Sequence, residues 1–194
     1  MTKSFSVTKN GVALDPNLYS WNEDTKTFST NEYGLVLDFS DWNDVTFKTG
    51  SWCILTTGYD CTFKTGPCCT FKTGCDCTFK TSSYCTFDTE HDCTFTTYSN
   101  CTFKTGNGCT FKVEEDCTFD TGYGCEFTVG DNCVIVRRDI FEIIQPEPGV
   151  AIKLNEFEVK GYKVVEKKHI IRIDGKEVEL SEESFNNLKK QFSS

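Results

Sequence analysis

Cysteine returns every eighth residue from Cys53 to Cys133 without a slip. Cys53, Cys61, Cys69, Cys77, Cys85, Cys93, Cys101, Cys109, Cys117, Cys125 and Cys133 hold this grid, and Cys68 and Cys75 lie off it. The unit is Cys-Thr-Phe-Lys-Thr-Gly-x-x, unaltered at 61–66, 69–74 and 101–106. Its third position is Phe47, Phe63, Phe71, Phe79, Phe87, Phe95, Phe103, Phe111, Phe119 and Phe127, with Leu55 and Ile135 as aliphatic replacements. A fixed short period marks a solenoid, in which each repeat covers its apolar face by stacking on its neighbours. Thirteen cysteines in 194 residues otherwise suggest a disulfide scaffold or a zinc protein, but the even spacing speaks against both.

Within the unit, Cys and Phe alternate with Thr and Lys, which is the period of a strand with one buried face. The eighth position is commonly Asp, Asn or Gly (Asp60, Asp76, Asn100, Gly108), the residues that adopt a left-handed corner at least cost. Each octad is therefore expected to be a strand and a corner. Two octads make a flat 16-residue coil with two facing sheets, and three make a triangular prism. The flat coil is preferred, because Cys can then face Phe across a core of even density. It also stacks Lys72, Asp88, Lys104 and Asp120 in one column of alternating sign, although it places Lys48, Lys64 and Lys80 together as like charges.

The register is extended upstream through Val45 to Leu37 and Phe39, and downstream to Phe141 and Ile143, before Pro146 and Pro148 close it. This assigns fourteen octads to residues 37–148, an N-terminal capping or assembly module to 1–36, and a C-terminal β module to 149–194. The fold class is all-β, with small strand-rich ends and one short helix. In the first module Asn10-Gly11 signals a hairpin, and Tyr19, Trp21, Phe28 and Tyr33 are aromatic enough to cover the first coil. In the last, strands are expected at 150–154 and 158–165, a hairpin at 169–180 turning at Asp174-Gly175, and a helix capped by Ser181 and running to about 192.

The core cysteines read most simply as small apolar packing residues. Cys68, Cys69, Cys75 and Cys77 resemble a zinc cluster in one dimension, but the register turns Cys69 and Cys77 inward and puts Cys68 and Cys75 on opposite edges. Asp44, Asp60, Asp76 and Asp92 lie sixteen apart and are the one weak calcium candidate. Outward Thr62, Thr78 and Thr94 suggest an ice-binding face, but their neighbouring outward rank is Lys or Asp. Neither His91 nor His169 has a nucleophile or base partner at a diagnostic spacing, and the repeat contains no inserted loop to form a groove. No enzyme and no cofactor are expected. Net charge −9 disfavours nucleic-acid binding, and no apolar run is long enough for membrane insertion. The N-terminus lacks the apolar segment of a secretory signal, which points to synthesis in a cytoplasm.

The unit Cys61-Thr-Phe-Lys-Thr-Gly and its copies, followed by Cys133-Val-Ile-Val-Arg-Arg-Asp-Ile-Phe-Glu, resembles octapeptide-repeat β-solenoid proteins encoded by bacteriophages and uncultured microbes. The resemblance covers most of the chain, and Ser82, Glu90, Tyr98 and Glu114 depart from it where Gly is expected. It implies a structural or fibre role, with virion association or an extracellular filament after lysis. Three functions follow as expectations: a structural protein joining head to tail as a homo-oligomer; a monomeric adhesin or decoration module using Trp52 and Tyr84, or Tyr59 and Tyr123, on a glycan or capsid; and an ice-binding protein.

Overall fold

The structure, a computed structural model, describes residues 4–166, 168–173 and 176–192. It comprises two compact units, Met1–Lys163 and Val164–Ser194. The first is a β-solenoid of about seven coils, each of about sixteen residues. One sheet stacks Leu35–Phe39, Ile54–Thr57, Thr70–Thr73, Thr86–Thr89, Thr102–Lys104, Thr118–Thr121 and Val134–Arg137 in parallel. The facing sheet stacks Thr27–Ser29, Thr46–Thr49, Thr62–Thr65, Thr78–Lys80, Thr94–Thr96, Thr110–Lys112 and Glu126–Thr128. Seven rungs at the usual spacing of neighbouring strands give a body about 34 Å long.

The eight-residue period fixes this arrangement because each repeat carries its own corner. Every eighth-position residue from Asp44 to Asn132 has positive φ, between 56° and 67°. The left-handed residue turns its N–H toward the next coil, as in Asp60 N to Cys75 O at 3.1 Å and Asp76 N to His91 O at 3.2 Å. The sixth position is Gly where the preceding coil leaves no room: a Cβ on Gly106 would lie 2.9 Å from the His91 nitrogen. The four departures at Ser82, Glu90, Tyr98 and Glu114 keep the same left-handed corner two residues later.

All eleven grid cysteines and Phe63, Phe71, Phe79, Phe87, Phe95, Phe103, Phe111, Phe119 and Phe127 are buried. One expectation about their packing is corrected. Phe faces Phe across the core, edge to face at 5.0–5.3 Å, while rings in one column stack at 4.7–5.1 Å. The ring quadrupole favours both geometries. Cysteine instead fills the corner end of each strand, its sulfur against carbonyl oxygens; Cys93 Sγ lies 3.5 Å from both Gly74 O and His91 O. Inward Thr at position five fills the other end, as at Thr73, whose hydroxyl donates to Gly74 O at 3.3 Å.

Both limits of the repeat differ from those read in the sequence. Upstream, Leu37 pairs with Leu55 and Phe39 with Thr57, so Leu35, Leu37 and Phe39 fill positions one, three and five. Ser40 and Asp41 are a two-residue insertion, closed by a turn from Trp42 N to Phe39 O at 2.8 Å. An insertion of even length preserves the alternation, which is why the shift is silent in the pattern. Parallel pairing reaches back to Phe28 opposite Phe47. Downstream, the last parallel strand ends at Arg137, and Glu142–Ile144 returns antiparallel to it. Phe141 and Ile143 are thus exposed rather than inward.

The ends of the solenoid are covered by antiparallel strands. Ser6–Lys9 pairs with Leu35–Phe39, and a hairpin turning at Asn10 and Gly11, both at positive φ, adds Val12–Ala13 outside it. Ser20–Asn22 covers Thr27–Ser29. At the other end Ile152–Leu154 covers Glu126–Thr128, with Tyr162–Val164 beyond. Phe5 stacks on Phe39 at 4.3 Å and Trp42 donates from Nε1 to Ser4 O, so the N-terminal plug is built from Phe5, Trp21, Phe28 and Trp42. Tyr19 stacks on Phe28, whereas Tyr33 is exposed beneath the Lys9 ammonium.

The second unit is the hairpin Lys168–Ile173 and Lys176–Ser181 with the helix Glu182–Phe192. The expected turn at Asp174-Gly175 lies outside the described residues. Ser181 Oγ accepts from Ser184 N at 3.2 Å, the expected N-cap. Phe185 stacks on His169 at 4.0 Å and, like Leu188, is half-buried; Phe192 is exposed.

Candidate functional site

The core holds thirteen free thiols less the two at the corners, and their environment is inert. A hydrogen bond to a neighbouring cysteine of the column, and then burial, push the thiols of Cys61, Cys69, Cys93, Cys117 and Cys125 up. Cys77, Cys101 and Cys109 are shifted down as the other members of these coupled pairs. With carbonyl oxygens around each sulfur and water excluded, the neutral thiol is the resident form.

The solvent-facing corners stack along two edges of the solenoid. One edge carries Trp52, Cys68, Tyr84, Asn100, Asp116 and Asn132 in the left-handed position. Trp52 and Tyr84, one coil apart from Cys68 on either side, are 65% and 63% exposed. A bulky exposed residue at positive φ costs stability that no packing repays. Replacing Trp52 by Asn is therefore expected to raise the unfolding free energy by about 1 kcal/mol, the cost of a left-handed conformation for an ordinary side chain. Chemical denaturation checks it; a loss of stability would mean that the indole packs on its neighbours.

The opposite edge carries Asp44, Asp60, Asp76 and Asp92, then Gly108 and Gly124. The column forms as its spacing requires, but the carboxylates do not gather. Asp44 pairs with Lys26 at 3.1 Å and Asp92 with His91 Nδ1 at 2.8 Å. Desolvation by the stacked corners, then the charges of Asp76 and Asp44, push the exposed Asp60 carboxyl up. Among the described residues, no three of these aspartates bring ligand oxygens within 4.8 Å of one another.

The same edge holds a set that the sequence reading passed over. Cys75, Glu90 and His91 each place one ligand atom within 4.8 Å of the other two. Cys75 and His91 are sixteen residues apart, one full coil, so both occupy the seventh position of stacked corners. A hydrogen bond to Asp76, followed by desolvation, pushes the Cys75 thiol up to about 11. The Asp92 hydrogen bond raises His91. Searching for chemical residue types at a separation of sixteen would have found the pair. Cys68 lies on the other edge, and Cys69 and Cys77 are buried, so the four-cysteine zinc cluster does not form.

On the outer faces the columns follow the expected register. Lys72, Asp88, Lys104 and Asp120 stack, with Lys104 Nζ 3.6 Å from Asp88. Lys48, Lys64 and Lys80 stack on the other face beside Thr46, Thr62 and Thr78. A surface hollow near the N-terminal end is lined by Tyr19, Asn31, Lys48 and Lys64. No helix of the described residues is long and apolar enough to cross a membrane. No protein-family model, curated protein or solved structure matches the chain.

Proposed function

We propose that the chain is a non-catalytic structural protein whose copies join end to end through the outermost strands of the solenoid. A β-solenoid is consistent with a structural role. The observation that carries the reading is the state of the two ends. The first sheet finishes in Val12–Ala13 at one end and Glu142–Ile144 at the other, and Val12 and Ile143 are each 70% exposed. These two strands run in opposite senses, so pairing them across copies would continue the sheet as an antiparallel ladder. The contact joins two different surfaces and therefore propagates. The absence of inserted loops between Val45 and Arg137 favours a body whose length is the product, rather than a groove for a substrate. Synthesis in the cytoplasm and incorporation into a phage fibre or an extracellular filament fit this reading and the sequence resemblance.

Electron microscopy with light scattering across concentration tests it. Rods that lengthen with concentration are expected, and Ile143→Lys is expected to return them to single particles. A monodisperse monomer at high concentration would overturn end-to-end association. A second reading, a monomeric adhesin, is favoured by exposed Trp52 and Tyr84 in their left-handed corners, because retained strain is common at binding surfaces. Glycan arrays with Trp52→Ala separate the two: dose-dependent binding lost in the variant supports the adhesin.

A further inference from the structure

We infer that Cys75, Glu90 and His91 form a surface site for a divalent transition metal of the zinc type. Three kinds of donor meet there, a sulfur, a carboxylate oxygen and an imidazole nitrogen, with their ligand atoms within 4.8 Å of one another. This donor set suits Zn²⁺, which takes four tetrahedral ligands from Cys, His and carboxylate, and three protein ligands leave one position for water. Hard calcium or magnesium would reject the thiolate.

Two further observations converge on the site. The first is the second shell. His91 Nδ1 lies 2.8 Å from Asp92 Oδ2, and in the tautomer with the proton on Nδ1 this contact orients the ring and Nε2 carries the lone pair. A carboxylate behind a ligating imidazole is the usual way to orient it. The second is backbone support. Gly106 N donates to Glu90 O at 2.9 Å and Asp76 N donates to His91 O at 3.2 Å, so the carbonyls of Glu90 and His91 are held by the coil that follows and the coil that precedes. Gly106 has no Cβ, and one would approach His91 N and Glu90 C to 2.9 and 3.0 Å. The ligands thus sit on a corner that cannot drift.

The sequence singles out the same three positions. Cys75 is one of two cysteines outside the octad grid, and His91 is one of two histidines in the chain. Glu90 replaces the Gly that the sixth position has at 58, 66, 74 and 106. One departure from the repeat, Glu90, and two residues rare at the variable seventh position fall on one pair of stacked corners. Metal binding releases the Cys75 thiol proton to solvent and forms the sulfur–metal bond; no oxidant or reductant is required.

Cobalt(II) added to the reduced full-length chain is the direct probe, because a thiolate–cobalt bond absorbs in the near ultraviolet. One equivalent is expected to give that band together with the visible bands of tetrahedral cobalt, and zinc is expected to displace both. Cys75→Ser should abolish the charge-transfer band, and His91→Ala should weaken binding at least tenfold. Cys68→Ser, on the opposite edge, should change neither. All three substitutions lie at surface corners, and circular dichroism verifies that each variant is folded. No charge-transfer band with the parent chain, or a band that survives Cys75→Ser, overturns the site.

Discussion

Alanine at Phe95 is expected to lower the unfolding free energy by about 3–5 kcal/mol, the range for emptying an aromatic core position. Phe95 is fully buried. Its ring stacks on Phe79 at 4.8 Å and Phe111 at 4.9 Å and meets Phe87 and Phe103 edge-on at 5.1 and 5.2 Å. Truncation therefore removes four aromatic contacts as well as the buried area, and each such pair contributes about 0.5–1.5 kcal/mol beyond area. The neighbours cannot close the gap, because their spacing is set by the strand ladder and not by the rings. Coils interact only with the next coils, so a cavity in the middle also weakens coupling between the two halves. Denaturant unfolding measures the loss. Phe141→Ala is the control: that ring is 89% exposed, and its truncation should cost under about 0.5 kcal/mol. A loss below about 1 kcal/mol at Phe95 would take the phenylalanine column out of the core.

The contrast between these two phenylalanines shows how far the sequence could be read. Phe95 sits inside an unbroken run of octads, where alternation and corner chemistry specify the same register at every step. Phe141 also falls on the eight-residue grid, but periodicity cannot tell a strand that continues the coil from one that turns back. Phe141 has φ of 53° and lies in the turn just before the return strand, so the grid match is accidental. The same limit hid the two-residue insertion at Ser40 and Asp41, since an even shift keeps apolar residues inward. Columns of residues sixteen apart were legible as soon as the flat coil was chosen. The Asp44–Asp92 column and the Lys72–Asp120 column therefore stand where the sequence puts them. What the columns do was not legible, because it depends on which side chains lean toward each other. Asp44 leans to Lys26, whereas Glu90 and His91 meet Cys75.

Arg137 carries the second large effect, and register explains its burial. It pairs with Thr121 at the inward fifth position of the last coil, so a guanidinium enters the core where the octads from Thr49 to Val129 have Thr or Val. The side chain is 0% exposed, and each of its three nitrogens donates a hydrogen bond. Nη2 lies 2.6 Å from Asp139 Oδ2 and Nε lies 3.2 Å from Oδ1, while Nη1 donates to Val159 O at 2.6 Å and Nη2 to Glu156 O at 3.2 Å. One cation thus ties the last coil to residues 139–159, which close the end of the solenoid. Arg137→Met keeps the length but leaves the Asp139 carboxylate unpaired at 7% exposure, and it is expected to destabilise by about 3–5 kcal/mol. The double variant Arg137→Met, Asp139→Leu should recover most of that loss, because it removes the orphaned charge with its partner. The pH dependence follows from the sign of the Asp139 shift. Burial pushes its carboxyl up, but the Arg137 hydrogen bonds and charge and the Glu158 N–H outweigh burial, so the net shift is down. A depressed carboxyl contributes stability above its unfolded value of about 3.9 and loses it as the pH falls through the lower folded value. In Arg137→Met the favourable contacts are gone and burial remains, so Asp139 protonates readily. The gap between parent and variant should therefore begin to narrow on acidification above about pH 4, where the buried Asp139 of the variant protonates, and go on narrowing until the parent's own Asp139 protonates below that value. Unfolding curves at pH 7 and pH 3.5 measure it, and a gap that stays constant would show that the guanidinium acts through packing and not through its charge.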